Sequence, residues 1–253
     1  MADWSPENYL RYADERSRPF VDLLARVPGT PRTVVDLGCG PGHLTGLLRH
    51  RWPGAQVLGV DSSPAMIERA RRDDPGGRYV LADLRAFEPP APVDLVVSNA
   101  TLQWVPGHRA LLPRLTAMVA AGGSFAFSVP GNHDAPSHMT LREVAGREPY
   151  RDSTASAARP RASGPEQYLD DLARPGWSVD AWETTYLHVL HGDDPVFTWI
   201  AATGARPVLD ALPEHLRGRF AADLQEALRD AYPPRPYGTP LAFRRVFAVA
   251  TRG

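Results

Sequence analysis

A chain of 253 residues, 43% apolar and 23% charged, has a globular composition and room for one large α/β domain. Its formal net charge of −1 supplies no basic field to hold a polyanion, which argues against a nucleic-acid partner, and no apolar run approaches the roughly 20 residues that span a bilayer. The single cysteine, Cys39, leaves no internal disulfide and no cysteine-based zinc site, and Met-Ala-Asp-Trp-Ser lacks the basic head and apolar centre of a secretory signal, so a cytoplasmic protein with no membrane partner is expected.

Residues 6–27 are expected to form two short helices. The first presents Tyr9, Leu10, Tyr12 and Ala13, and the second Phe20, Leu23, Leu24 and Val27, with Pro19 in its first turn. Thr33 to Leu37 reads as a buried strand that enters Gly38-Cys39-Gly40-Pro41-Gly42. The missing Cβ atoms there permit φ > 0 and a close ligand approach, and a helix follows over 43–51. A second strand, 56–60, ends at Asp61; Ser62, Ser63 and Pro64 then form a helix start, with the helix itself over about 65–72. A third strand, 78–82, ends at Asp83, and a fourth, 94–98, leads into Asn99-Ala100-Thr101-Leu102-Gln103-Trp104. A helix over 107–119, a turn at Gly122-Gly123 and a strand over 124–129 complete the alternation.

Strands and helices alternating at this spacing predict an α/β fold with a mostly parallel sheet covered on both faces. Ligands of such sheets bind at the carboxyl ends of the strands, and Asp36, Asp61, Asp83 and Asn99 converge on that edge. After Pro130 the pattern weakens. A loop over 131–136 precedes a helix over 138–147, a polar Ala/Ser/Arg-rich stretch of mobile composition over 150–164, a helix over 165–173 and a long alternating strand over 177–190. Helices over 194–203 and 214–231 and a strand over 241–250 close the chain. No repeat and no linker marks a second domain, so one domain over 1–253 is expected, with cap segments around 1–28, 131–165 and 191–240.

Two cofactor chemistries compete for the glycine turn. A dinucleotide fold uses G-x-G-x-x-G and an acid about 20 residues later, whereas the glycines here are spaced G-x-G-x-G with Asp36 just before them. A carboxylate repels a pyrophosphate but attracts an ammonium or sulfonium, by about 4 kcal/mol at 4 Å in an effective dielectric near 20. A cationic cofactor is therefore favoured. Asp61 stands where both ribose hydroxyls would be accepted, and Asp83 where an adenine amino group would be. The plainer alternatives are a turn-stabilising side chain for Asp36 and a helix core residue for Met66.

Asp-Leu-Gly-Cys-Gly-Pro-Gly, Val-Asp-Ser-Ser-Pro-Ala-Met-Ile, Ala-Asp-Leu and Ser-Asn-Ala-Thr-Leu-Gln-Trp-Val together resemble the class I S-adenosyl-L-methionine (SAM)-dependent methyltransferases. Flanking segments, among them Asp3-Trp4-Ser5-Pro6, Glu15-Arg16-Ser17-Arg18-Pro19, Thr184-Thr185-Tyr186 and Ala202-Thr203-Gly204-Ala205-Arg206-Pro207, are similar to the trans-aconitate 2-methyltransferase family. The resemblance implies a Rossmann-like seven-stranded sheet with an antiparallel last strand, helices on both faces, and methyl-ester formation on a small tricarboxylate. It implies that Gly38, Gly40 and Gly42 lie along the methionine portion of SAM, that Asp61 holds the ribose, and that Ser62 and Met66 border the adenine. Asp83 and Leu84 would meet the adenine edge, Asn99 would offer its carbonyl to the ammonium, and Gln103 and Trp104 would stand beside the transferring methyl.

A carboxylate is ionised at pH 7 and serves as its own nucleophile, so no general base is required and positioning, by Gln103, Trp104 and Tyr12, suffices. Arginine forks suit the remaining carboxylates, with Arg18, Arg206 and Arg244 or Arg245 as candidates. Alternation on the last strand places Arg244 and Arg245 on opposite faces, so at most one meets the substrate. His133, His138, Tyr186 and Trp199 are expected to shape the pocket, although an aromatic is usual in the family near His133. His188 and His191, three apart on a strand, point to opposite faces, and no metal is expected.

Other readings have their own discriminators. A carrier-protein carboxyl acceptor calls for a dense basic docking face, which is missing, and a natural-product acceptor is a further possibility. A nucleic-acid amino-methyltransferase would carry Asn-Pro-Pro-aromatic where Ser98-Asn99-Ala100-Thr101 stands. A SAM-binding regulator without catalysis would share Asp36, Asp61 and Asp83 but show no turnover. A small-molecule carboxylate is the expected partner, with a monomer as the default state.

Overall fold

The computed structural model describes residues 13–157 and 161–253. Its centre is a seven-stranded sheet in the order β3-β2-β1-β4-β5-β7-β6. The strands are β1 (Thr33–Leu37), β2 (Gln56–Asp61), β3 (Arg78–Leu81), β4 (Val93–Asn99), β5 (Val119–Pro130), β6 (Trp177–Leu190) and β7 (Thr239–Arg252). The first five are parallel, and β7 runs antiparallel to β5, pairing Phe125 with Ala250 and Pro130 with Arg245. Val34, Val35 and Leu37 on β1, and Leu95, Val96 and Val97 on β4, are buried without alternation, as strands covered on both faces require. Of these, Val35, Leu37 and Val96 form one apolar core with Val60, Phe125, Phe127, Val246, Ala248 and Tyr168.

The helices are α1 (Ala13–Ala25), α2 (His43–Arg51), α3 (Pro64–Asp73), α4 (Leu112–Ala117), α5 (Pro136–Ala145), α6 (Arg151–Thr154), α7 (Pro165–Leu172), α8 (Pro195–Ala201), α9 (Arg206–Ala211) and α10 (Glu214–Ala231). Among the described residues, none of them is long and apolar enough to cross a membrane. The described residues cluster into two compact units, one of 13–130, 162–184 and 245–253, the other of 131–157, 161 and 185–244.

Several expectations are corrected here. Pro19 does not open a helix; α1 runs through it, and burial of Phe20, Leu23 and Leu24 offsets the roughly 3 kcal/mol that an interior proline costs. The expected first helix, with Tyr9 and Tyr12, lies outside the described residues. The expected helix over 107–119 is a 3₁₀ turn, His108–Leu111, followed by the short α4, because Gly107 sits at φ 67° and Pro113 belongs in a first turn. Gly122 and Gly123 do not separate helix from strand. They form a bulge inside β5, where the pairing with β4 jumps from Val93–Val119 to Leu95–Ser124. The stretch after Tyr150 is in part ordered: Tyr150 is fully buried, donates to Asp223 at 2.5 Å, and leads into α6. Helix α9 was not expected, although Pro207 in its first turn signals it.

Candidate active site

The register Leu37–Val60 and Asp61–Leu81 places the ends of β1, β2 and β3 side by side, and β4 joins them through Asp36–Val97. The glycine turn is tied to this edge, because the amides of Gly38 and Cys39 both donate to the Val60 carbonyl, at 2.7 and 3.0 Å. Gly38, Gly40 and Gly42 all have left-handed φ, of 79°, 56° and 84°. Their surroundings differ. A Cβ on Gly38 would lie 2.1 Å from Thr101 Oγ1 and one on Gly42 2.6 Å from the Tyr79 hydroxyl, whereas a Cβ on Gly40 would meet nothing within 4 Å. Two glycines therefore close the fold, and the middle one faces open space.

Asp61 joins two turns. One oxygen accepts from Gly40 N–H and the other from Ser63 N–H, both at 2.9 Å. Burial raises its pKa, against the lowering effect of these amides. A carboxylate has about four lone-pair sites, so capacity remains for two hydroxyl donors. The Gly40 amide, already committed to Asp61, is not offered to a phosphate.

Asp36 is buried and accepts the Thr45 hydroxyl at 2.7 Å. Burial pushes its carboxyl up to about 7; the Thr45 bond opposes the rise and the nearby Asp61 charge adds to it. Cys39, in the turn between them, is buried and its thiol is pushed up by burial and by both carboxylates, so it carries no reactive thiolate.

At the end of β4, Ala100 adopts φ 54°, a left-handed conformation rare for a residue with a Cβ. Sequence alone gave no signal for it. Ser128 O–H donates to Asn99 Oδ1 at 2.5 Å, and Gln103 Nε2 donates to the Ala100 carbonyl at 2.6 Å. Asn99 Nδ2 and Gln103 Oε1 are left buried with no partner among the described residues. The Asn99 backbone carbonyl accepts from Thr101 Oγ1 at 3.2 Å. Trp104 is half-buried, Met66 is buried on α3, Leu84 is part of the core and Ser62 is exposed. Arg85 binds the Asp83 carboxylate through Nε at 2.9 and 3.0 Å and holds it below the usual carboxylate range.

The remaining candidates are distributed. Arg18 is exposed on α1 and Arg245 is buried on β7, in the unit that holds the glycine turn, and Tyr12 lies outside the described residues. In the other unit, Tyr186 and Trp199 are buried in an aromatic cluster in which His188 stacks on Tyr186 and lies tilted against Trp199, and Trp199 meets Phe243 edge-on at 5.4 Å. Burial makes these rings core packing as much as pocket lining. Arg206 pairs with Asp210 at 3.4 Å along α9, and Arg244 lies beside Gly131 and Asn132. His138 is packed so closely against Gly204 that a Cβ there would lie 2.6 Å from its Nε2.

The strand order and the glycine turn with its acid-ended second strand are those of a class I methyltransferase. A methyltransferase-domain family model matches residues 34–123. The chain is 50% identical to a trans-aconitate 2-methyltransferase of Streptomyces avermitilis, covering 99% of this chain and 97% of that protein. It is 46% identical to one of Methylobacterium nodulans, covering 100% and 99%. The chain belongs to the trans-aconitate 2-methyltransferase family. Its fold is similar to that of the YcgJ protein of Bacillus subtilis, with a TM-score of 0.57 at 14% identity over 94% of this chain and 98% of that one. It is similar also to the plantazolicin methyltransferase BpumL in complex with a pentazolic desmethylPZN analog and SAH, with a TM-score of 0.52 at 13% identity over 98% and 86%.

Proposed function

We propose that this chain transfers a methyl group from SAM to a carboxylate of trans-aconitate, forming a methyl ester. The observation that carries the cofactor half is the pairing of buried Asp36 with half-buried Asp61 around a turn whose middle glycine opens to space. That surface repels a pyrophosphate and suits a ligand with a cationic end and a ribose. The acceptor half rests on the near-full-length similarity to trans-aconitate 2-methyltransferases.

The residues present fit the cofactor. Asp61 would accept the ribose hydroxyls, Gly38, Gly40 and Gly42 would admit the methionine portion, Ser62 and Met66 would border the adenine, and Leu84 would meet its edge. Asp83 would serve the adenine amino group after sharing its carboxylate with Arg85. Bound SAM supplies an electrophilic methyl on a sulfonium. The unpartnered Gln103 Oε1 and Asn99 Nδ2 offer an acceptor and a donor for ligand groups at that edge. The chain's part is then positioning and exclusion of water, with Trp104 and Tyr12 beside the acceptor and no proton to remove. Arg18, Arg206, Arg244 or Arg245, with His133, His138, Tyr186 and Trp199, are the proposed substrate residues.

Incubation of the purified chain with methyl-labelled SAM and trans-aconitate tests this reading. A base-labile labelled ester is expected; SAM binding without transfer to trans-aconitate would overturn it.

A further inference from the structure

The glycine turn and the loop after β4 are tied to each other by one hydroxyl. Thr101 Oγ1 donates toward two carbonyls, that of Gly38 at 3.3 Å and that of Asn99 at 3.2 Å. Both distances exceed the roughly 2.5–3.0 Å of a well-formed O–H···O bond. A hydroxyl has one hydrogen, so the two carbonyls share it and neither holds it fully.

The frame around that hydroxyl is fixed. Gly38 N–H donates to the Val60 carbonyl at 2.7 Å, and Ser98 Oγ to the Leu37 carbonyl at 2.8 Å. On the other side, Ala100 N–H donates to the Ser128 carbonyl at 2.8 Å, and Gln103 Nε2 to the Ala100 carbonyl at 2.6 Å. The left-handed backbone of Ala100 folds Thr101 back over the carbonyl two residues before it. A Cβ on Gly38 would lie 2.1 Å from Thr101 Oγ1, so the missing side chain of Gly38 leaves the room that Thr101 fills. All of these residues belong to the same compact unit. The hydroxyl hydrogen is therefore the movable part, because it rotates freely to suit its acceptors while both loops are held by bonds of their own.

We propose that Thr101 is a positioning residue for the amino-acid end of SAM, its O–H turning from the Asn99 carbonyl to the Gly38 carbonyl as Asn99 accepts the cofactor ammonium. This rests on the reading of the chain as SAM-dependent, in which the Asn99 carbonyl meets that ammonium. A charge-assisted bond is about twice as strong as a neutral one, so the competition at Asn99 has one outcome. The released hydrogen completes its bond to Gly38, and the glycine turn is fastened fully only when that end of the cofactor is present.

Isothermal titration of the full chain tests this with two ligands: S-adenosylhomocysteine, which keeps the amino-acid end of SAM, and methylthioadenosine, which lacks it. Thr101→Val keeps the shape without the hydroxyl, and is expected to weaken the first ligand about tenfold and the second by less than about twofold. Thr101→Ser keeps the hydroxyl and is expected to bind both within about twofold of the parent. Equal weakening of the two ligands by Thr101→Val would make Thr101 merely structural and overturn the proposal. Unchanged binding of S-adenosylhomocysteine by that variant, or a serine variant as weak as the valine one, would overturn it too. Should Thr101→Val fail to fold, NMR of the backbone carbonyls in the parent chain decides. The Gly38 carbonyl resonance is expected to move with S-adenosylhomocysteine and not with methylthioadenosine; movement with both alike, or with neither, overturns the proposal. Each of these outcomes leaves methyl transfer standing, whereas a parent chain that binds no S-adenosylhomocysteine would overturn the cofactor reading and the proposal together.

Discussion

Thr45 donates its hydroxyl hydrogen to Asp36 across 2.7 Å, so the acid before the glycine turn is fastened to the helix after it. The turn is thus braced from below by a side chain whose charge is itself disfavoured by burial.

That burden titrates. The Asp36 carboxyl lies at about 7 in the folded chain against 3.8 in the unfolded chain, so between those values the folded chain retains a proton that the unfolded chain has released. Stability linked to the neutral acid is present below the lower value and lost as pH rises through the upper one. Asp36→Asn removes this dependence and keeps an acceptor for Thr45. Without cofactor it should gain up to about 4 kcal/mol at pH 8 and little at pH 4. Chemical denaturation at the two pH values checks this; an equal gain at both contradicts it.

The glycines should separate by role. Gly38→Ala forces a Cβ into Thr101 at a left-handed φ and is expected to cost more than about 2 kcal/mol. Gly40→Ala has space for its Cβ and should cost only about 1 kcal/mol, yet it should abolish cofactor binding. Thermal unfolding and isothermal titration with SAM distinguish the two, and intact binding by Gly40→Ala would remove the turn from the cofactor site.

Ala100 offers a test of backbone strain. Ala100→Gly is expected to lie within about 1 kcal/mol of the parent, because relief of φ 54° and the entropy of glycine oppose one another. Ala100→Val should cost about 2 kcal/mol or more, since a β-branched residue is poorly accommodated there. Equal stability of the valine variant, read by urea denaturation, would refute the strain.

Tyr168 is fully buried, with its hydroxyl 2.7 Å from His108 Nε2 and accepting from Ser163 N–H at 3.2 Å. Tyr168→Phe orphans both groups and should cost about 1–3 kcal/mol without altering KM for SAM. A neutral result in urea denaturation would show that the network contributes nothing.

The edge of the site was legible because its residues obey local rules. A buried apolar strand, glycines needing φ > 0 and a Ser-Pro helix start each announce themselves within a few residues. Ala100 was silent, since alanine carries no mark of a left-handed backbone and its conformation is imposed by Ser128 and Gln103. Asp83 read as available because its partner, Arg85, is captured by geometry that spacing does not specify. Gly122 and Gly123 read as a turn because a bulge and a turn use the same residues, and only pairing with β4 separates them. The rings of Tyr186 and Trp199 showed the limit of residue type: aromatics that line a pocket and aromatics that fill a core have the same sequence signal.

Asp61 has a consequence beyond the ribose contact proposed for it. Its two oxygens connect the amide of Gly40 to that of Ser63, one in the turn after β1 and the other at the start of α3. Occupancy of its free lone pairs would be felt in both places together, so a cofactor held there would act as a rivet through two loops. Amide hydrogen exchange at 40 and 63 should slow in concert as SAM is added, and the site would report its own loading without any large movement of the chain.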